Sequence, residues 1–478
     1  MKHAITISKG DGIGPEIMDA ALHILKEAGA DLELHEVEVG EKVYLKGVYS
    51  GIEPQTWDTL KQTEAFLKSP ITTPQGGGFK SLNVTIRTSL GLYANIRPCV
   101  SYSPYIATKH PLMDVVIIRE NEEDLYAGIE YRQTPHVYVS HKIITRQGCE
   151  KIIRYGFEYA KHHGRKKVSV FTKDNIMKFS DGLFHQVFNE ISKEYPDLLS
   201  EHWIVDIGSA KLATTPESFD VIILPNLYGD ILSDVAAEMT GSVGLAPSAN
   251  IGAHSAMFEA IHGSAPKRAH QNIANPSGLI LASVMMMAYL KEFSLATLIH
   301  NAWLKTIEDG IHTYDIFNPA VSQVCMGTKE FARCVVKNLG SQPEKMRSPI
   351  YQSETKMMGV PPIHPISTQR TLVGIDVFIY RETLPDQLIH QLESLPSSPF
   401  KLELISNRGV KVWPGGHLET ACSEQWRYRF LQKTLRALSQ QDLISLLEFL
   451  TQLGYDIIKT ENLYTFDGKN GYSAVEGA

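Results

Sequence analysis

The chain reads as an α/β protein followed by a smaller α+β domain, and three features predict this. Through the first 340 residues, short apolar runs bounded by Gly, Pro and Asn alternate with segments whose apolar residues recur at helical spacing. Over residues 339–370 that pattern dissolves into a stretch with five prolines and many Ser, Gln and Lys, which reads as a linker at 341–370. Beyond it, strand and helix patterns follow in the order β-α-β-β-β-α-β: a strand at 372–380, a helix at 385–395, strands at 401–405, 410–412 and 428–431, a helix at 441–453 and a strand at 455–459. An order of this size suggests a ferredoxin-like or related domain.

Composition narrows the function class. The 478 residues suffice for two or three domains, and 43% hydrophobic with 21% charged residues is ordinary for a soluble globular protein. A net charge of −7 with no long basic run argues against nucleic acid or an anionic membrane as partner. No signal-peptide segment opens the sequence, and the longest strongly apolar run, 279–290, is too short to span a bilayer and predicts a buried helix. The five cysteines (Cys99, Cys149, Cys325, Cys334 and Cys422) are scattered and form no C-x-x-C, so the expected setting is a reducing cytoplasm.

Residues 221–238 hold the densest chemical signal. Four apolar residues, Val221 to Leu224, predict a buried strand; Pro225 and Asn226 end it, Gly229 gives a turn, and a helix follows with Ile231, Leu232, Val235 and Ala236 on one apolar face. Asp230 and Asp234 are four apart and project side by side. With Asp206, which ends another apolar run, they offer three carboxylates to a hard cation such as Mg²⁺ or Mn²⁺. The pair alone does not specify a metal, since acids also favour the positive end of a helix.

Earlier segments supply cations. A strand at 4–8 leads into GDGIGPE and a helix at 17–27, but Pro15 stands where a G-x-G-x-x-G turn needs its third glycine, so this is a strand–turn–helix with Pro15 opening the helix. The loop 67–78 has two prolines and three glycines, with Thr72 and Thr73 as small hydrogen-bonding groups; it is either a connector or a ligand loop. Ser81 is an N-cap candidate, and Asn83 and Arg87 share the helix face behind it. Arg97 follows in NIRP, and Arg119 ends the strand at 115–118. Three arginines at strand and helix ends suggest a substrate with several carboxylates. Tyr126 lies in the acidic loop 120–128, and residues 136–144 alternate as an edge strand or hairpin arm. Lys173 ends a strand at 168–172 before a helical stretch at 175–192; beside a metal such a lysine becomes a general base. The loop 259–268 carries His262, Lys267 and Arg268 and is followed by Asn275; its cations either hold a phosphate or face solvent. Helical patterns fill 278–291 and 295–308.

Taken together, GDGIGPEI, ITTPQGGG, KSLNVTIR, NIRP, RENEEDLYAGIEY, TKDNIMKF, NLYGDILSD, SANIG and HGSAPKRA strongly resemble the isocitrate/isopropylmalate dehydrogenase family over residues 1–340. Ser81 and Asn83 resemble its isocitrate branch, because the isopropylmalate branch has apolar residues there. The extension resembles that of a bacterial subgroup with an added domain. The resemblance implies metal-dependent oxidative decarboxylation of isocitrate to 2-oxoglutarate and CO₂. Arg87, Arg97 and Arg119, with Ser81 and Asn83, would bind isocitrate. Asp230 and Asp234, with Asp206 from a neighbouring subunit, would hold Mg²⁺ or Mn²⁺, and Lys173 (also from the neighbour) and Tyr126 would move protons. Cofactor contacts would come from Ile71, Thr72, Thr73, His262, Lys267, Arg268, Asn275 and Tyr314. Lys267 and Tyr314 match members that use NADP, whereas Arg268 and Asn318 depart from them, so NADP is the expectation and NAD the alternative. Homoisocitrate or isopropylmalate oxidation and a non-catalytic regulatory subunit are the remaining alternatives. The implied architecture is a large domain at about 1–105 and 245–340, a small domain at 106–244 with a clasp at about 130–160, and the added domain at 371–478, assembled as a homodimer or higher oligomer.

Overall fold

The computed structural model describes residues 2–48, 50–73, 81–351, 367–383, 392, 398–416, 420–434 and 436–474. All but Leu392 of the expected helix at 385–395, the Gly-rich end of the loop at 67–78 and most of the expected linker lie outside the described residues. The chain divides into two compact units, Met1–Ala127 with Lys142–Pro362, and Gly128–His141 with Ile363–Ala478.

Unit one is built on a ten-stranded mixed sheet. Its strands are β1 (His3–Ser8), β2 (Leu32–Glu36), β3 (Ala65–Lys68), β4 (Ala94–Val100) and β5 (Asp114–Glu120); β6 (Glu130–Arg132) and β7 (Tyr138–Ser140) belong to unit two. Then come β8 (Lys167–Thr172), β9 (Leu199–Ile204), β10 (Val221–Leu224), β11 (Pro247–Ile251) and β12 (Ala256–Ala260). The spatial order is β2-β1-β3-β12-β11-β4-β5-β10-β8-β9. Both flanks pair in parallel, while β12, β11, β4 and β5 pair antiparallel at the centre. Strands from 1–105 and 245–340 fill one side of this order and strands from 106–244 the other. β3, β10, β11 and β12 are buried at every residue; β10 is apolar throughout, as a parallel strand covered on both faces requires, whereas the other three carry buried polar residues.

The helices of unit one are α1 (Gly14–Glu27), α2 (Glu41–Leu45), α3 (Pro54–Gln62), α4 (Leu82–Ser89), α5 (Arg146–His162), α6 (Ser180–Ile191), α7 (Val205–Thr214), α8 (Asn226–Met239), α9 (Ser277–Tyr289), α10 (Phe293–Glu308) and α11 (Thr328–Lys337). Pro15 lies in the first turn of α1, as its fixed φ and missing N–H allow. The apolar run at 279–290 is α9, buried almost throughout. Among the described residues no helix is long and apolar enough to cross a membrane.

The reading of residues 221–238 is corrected in two places. Helix α8 begins at Asn226, directly after Pro225, and Gly229 lies inside it rather than in a turn. A Cβ at Gly229 would come within 2.6 Å of the Arg119 side chain, so glycine serves close approach here. The apolar face is also split: Leu232 and Ala236 are core, whereas Ile231 and Val235 are 54% and 43% exposed.

In unit two, β6 and β7 form an antiparallel ribbon. From Arg146 the chain is α5, whose Cys149, Ile152, Ile153 and Phe157 are buried in the core of unit one. The rest of unit two is an antiparallel sheet of β15 (Arg370–Tyr380), β16 (Phe400–Asn407), β17 (Val410–Trp413), β18 (Gln425–Gln432), β19 (Asp456–Phe466) and β20 (Lys469–Asn470), packed against α12 (Gln440–Gln452); β13 (Ile311–Thr313) and β14 (Val324–Met326) pair separately in unit one. Counting β15, β16, β18 and β19 as strands one to four, the order is 4-1-3-2, the ferredoxin-like order, with β17 and β20 as added edges. The last long strand, β19, runs to Phe466, seven residues past its expected end, paired along β15. The ribbon is fastened within this unit by Glu424, whose carboxylate accepts from the Thr134 hydroxyl at 2.7 Å and the His136 N–H at 3.0 Å.

Glu120, at the end of β5, is 2% exposed. Its carboxyl accepts N–H bonds from Glu122 and Glu123, but burial, joined by the Glu123 charge, pushes its pKa up to about 8. The folded chain therefore keeps a proton that the unfolded chain releases near pH 4.5, so stability falls as pH rises between those values, by roughly 4–5 kcal/mol. Glu120→Gln is expected to flatten this decline, making the variant the more stable protein at pH 9. Urea unfolding at pH 5, 7 and 9 checks it, and equal slopes for both proteins would refute it.

Candidate functional site

Helix α8 carries the centre of the site. Arg119, 1% exposed on β5, is anchored by Asn226, whose side-chain oxygen accepts from Nε at 3.0 Å and Nη2 at 2.8 Å. Its remaining Nη1 donates to Asp230 Oδ1 at 2.5 Å. Arg97 on β4 is fixed by Asn95 (2.5 Å) and the Ser233 hydroxyl (2.6 Å), and Nη1 lies 3.4 Å from Asp230 and 3.5 Å from Asp234. The Tyr126 hydroxyl donates to the second Asp230 oxygen, and Arg119 lies over the Tyr126 ring, 4.8 Å from its centre. Thus Arg97, Arg119, Tyr126, Asp230 and Asp234 converge.

The two acids differ in environment. Burial opposes charge on Asp230, but Arg119 and then Arg97 outweigh it and hold the carboxyl below its usual range. Asp234 is the more open of the two, its side chain 60% exposed against 37% for Asp230. Burial also drives Tyr126 up to about 12, against the pull of Arg119, so the phenol keeps its proton at neutral pH.

Arg87 adds its charge to those that lower Asp230 and is tied back to a second carboxylate. From α4 its Nη2 meets Glu259 at 2.9 Å, and the same carboxylate takes the fully buried Lys68 ammonium at 2.6 Å. Burial opposes the Glu259 charge, yet Lys68 and Arg87 hold the carboxyl far below the usual range. Asn250 donates to Glu259 at 3.0 Å and accepts from Asn95 and from Asn121 (3.0 Å). A continuous buried chain of polar groups therefore runs from Lys68 through Glu259, Asn250 and Asn95 to Arg97. The sequence reading missed Lys68, Glu259, Asn95, Asn226, Ser233 and Asn250; a polar residue inside an otherwise apolar run, as in AFLK and AMFEA, was the available signal. Ser81 occupies the N-cap position of α4 without a side-chain capping bond. Among the described residues, Asn83 Oδ1 and Arg87 Nε are buried with no hydrogen-bond partner, a cost that a polar ligand relieves.

Lys173 and Asp206 form their own pair, Nζ to Oδ1 at 2.6 Å, and Lys173 depresses the Asp206 carboxyl. Among the described residues no hydrogen bond or ion pair joins them to Asp230 or Asp234, so within one chain the three acids do not converge.

A second set of loops lies at the strand ends of β1 and β3. Asp11 N–H donates to Pro70 O and its carboxylate accepts the Thr72 N–H, both at 2.9 Å. The Thr72 and Ser264 hydroxyls bond at 2.8 Å. Gly12, at φ +58°, allows a close approach, since a Cβ there would lie 2.0 Å from Ser264 O. Ile71 is buried and Thr73 exposed beside this seam. Among the described residues, the buried His262 Nε2 has no hydrogen-bond partner. Lys267 and Arg268 are exposed on a turn, Tyr314 is exposed, and Asn275 bonds Asp315 at 2.9 Å.

Anchored guanidinium groups next to carboxylates, as here, suit a small polyanionic ligand. Residues 4–335 match the isocitrate/isopropylmalate dehydrogenase family model, and 370–478 match the bacterial isocitrate dehydrogenase C-terminal domain. The chain belongs to the isocitrate/isopropylmalate dehydrogenase family. It is 55% identical to an isocitrate dehydrogenase [NADP] of Rickettsia bellii over 476 residues, 99% of both chains. A solved structure from Thermus thermophilus superposes with TM-score 0.93 at 40% identity, covering 99% of this chain and 96% of that one. Isocitrate dehydrogenase from Methylococcus capsulatus gives 0.67 at 41% identity, covering 70% and 99%.

Glu259→Gln would leave the Lys68 ammonium and the Arg87 guanidinium buried without their counter-charge. The expected loss is about 3–5 kcal/mol, measured as a fall in the urea midpoint at pH 7; a change below about 1 kcal/mol would show that the buried triad is not held by charge.

Proposed function

We propose that the chain oxidises and decarboxylates isocitrate to 2-oxoglutarate and CO₂, with NADP as acceptor. The observation that carries this is the meeting of Arg97, Arg119, Tyr126, Asp230 and Asp234 in one place. Anchored guanidinium groups suit carboxylates, and two acids beside them suit a hard cation chelated by the same substrate. The donor set is all oxygen, and Asp234, with its side chain 60% exposed, presents its carboxylate to an incoming ion. Asp230, Asp234 and a second subunit's Asp206 would hold Mg²⁺ or Mn²⁺. A cation held there would supply Lewis-acid activation of the substrate, and a bound dinucleotide would supply the hydride acceptor.

The remaining roles belong to the chain. Arg97, Arg119 and Arg87 bind the carboxylates, with Ser81 and Asn83 at the extra one. Lys173 of the neighbouring subunit takes the hydroxyl proton, and Asp206 orients it. Tyr126, protonated at neutral pH, supplies the proton that replaces CO₂. The loop seam of Ile71, Thr72 and Thr73, with His262, Asn275 and Tyr314, takes the dinucleotide, and the exposed Lys267 and Arg268 take the 2′-phosphate. A homodimer follows from this division of labour, and the exposed Ile207, Ile231 and Val235 on α7 and α8 give it an apolar contact face. We place the protein in the cytoplasm, where its five free cysteines stay reduced.

Initial rates with isocitrate and each of NADP and NAD test the proposal: a preference for NADP is expected, and no turnover of isocitrate with either overturns it. Lys173→Met is expected to keep the fold and lower kcat by at least about a hundredfold. Asp230→Asn is expected to raise the Mn²⁺ concentration needed for activity, with partial rescue by excess Mn²⁺; a wild-type metal response would remove Asp230 from the metal site. Lys267→Asp with Arg268→Ile is expected to shift the ratio of kcat/KM toward NAD, and an unchanged ratio would leave those cations in solvent.

A further inference from the structure

A cavity of about 790 Å³ lies behind the catalytic face of the large sheet. Its place follows from strand alternation, which sends successive side chains to opposite faces. Asn95, Asn250 and Glu259 bond one another on one face, while their neighbours Ile96, Ile251 and Phe258 form the cavity floor on the other. Helices α5 and α9 are the walls, with Tyr155 and Tyr159 from the first and Tyr289 from the second. The segment after α11 lines the rim with Arg347. Two properties separate this space from a packing void. Native interiors hold few voids larger than a water, and this volume falls within the roughly 300–1,000 Å³ of small-molecule sites. Moreover, the hydroxyls of Tyr155, Tyr159 and Tyr289 have no hydrogen-bond partner among the described residues, although none of the three rings is exposed. A phenol on a buried ring normally finds a partner, so these three open onto the cavity. Burial raises the pKa of each, that of Tyr159 up to about 12, and they remain donors at neutral pH.

The charge at the rim narrows the ligand. Arg165 is engaged by Asp114 at 2.7 Å and Asp220 at 2.9 Å, whereas Arg347 forms no ion pair among the described residues. With the lining histidines counted as neutral, Arg165, Arg347 and Lys291 against Asp114 and Asp220 leave one positive charge. We propose that this cavity binds an amphipathic monoanion, its apolar body on Ile96, Ile251, Phe258 and Met285, its acceptor atoms at the three phenols and its single carboxylate or sulfonate at Arg347. A neutral hydrocarbon would leave the phenols and Arg347 unanswered, and a small polyanion would meet an apolar floor and two acids. The site is separated from the α8 carboxylates by the sheet itself, so its occupancy does not require an empty catalytic site.

The aromatic monoanion 8-anilinonaphthalene-1-sulfonate is the probe. It is titrated by fluorescence into the intact protein in saturating NADP and Mg²⁺, which keep the loop seam and the carboxylate site out of the measurement. About one probe per chain is expected to bind. Ala288, half-buried on α9, lines the cavity, and Ala288→Trp fills it. This variant should abolish binding, and its melting curve establishes that it folds. Arg347→Gln, at an exposed position, should weaken the probe by roughly threefold or more and leave the neutral N-phenyl-1-naphthylamine bound as before. Displacement of the probe by decanoate assigns an acyl body to the ligand, and displacement by indole-3-acetate an aromatic one. Absence of binding to the wild type, unchanged binding in Ala288→Trp, equal loss of the anionic and neutral probes in Arg347→Gln, or displacement by neither carboxylate overturns the proposal.

Discussion

The interaction on which unit one depends is the buried polar chain that crosses the middle of its sheet. Glu259 on β12 collects Lys68 from β3, Arg87 from α4 and Asn250 from β11. Asn250 passes the connection to Asn95, and Asn95 to Arg97. Buried charges survive only when paired and hydrogen-bonded. Each member therefore constrains the next, and the orientation of Arg97 toward α8 is set by strands up to three positions away in the sheet. The same requirement explains the antiparallel centre: β11 and β4 bring Asn250 and Asn95 face to face at one register position.

Next to this frame, α8 contributes both chemistry and clearance. Gly229 lets the helix lie against Arg119, while Asn226 and Ser233 hold one edge of each guanidinium. Asp230 and Asp234 then meet the remaining edges. The result is a set of opposite charges fixed before any ligand arrives, which is the preorganisation that electrostatic catalysis requires.

Much of this was legible in the sequence where the signal is local. Helical spacing put Asp230 and Asp234 together, apolar runs located β10 and α9, and Pro15 marked the start of α1. What was not legible is tertiary. Nothing near Arg87 in the chain announces Glu259, 172 residues away, and nothing near Asn95 announces Asn250. The apolar face of α8 misled because Ile231 and Val235 sit beside Leu232 and Ala236 in the sequence but one step round the helix, outside the core. The start of α5 was legible locally, in the Thr145 hydroxyl that caps it by accepting the Gly148 N–H.

The fastening of the ribbon by Glu424 has a consequence in time. Thr134 and Glu424 are 290 residues apart. At a synthesis rate of about 5–20 residues per second, the ribbon leaves the ribosome roughly 15–60 s before its partner exists. During that interval β6 and β7 are a two-stranded hairpin, which is marginal in water on its own. The nascent chain thus carries an unfastened pair of strands for most of its birth, and their alternating polar and charged residues, Glu130, Arg132 and Ser140 among them, keep those edges from recruiting the wrong neighbour.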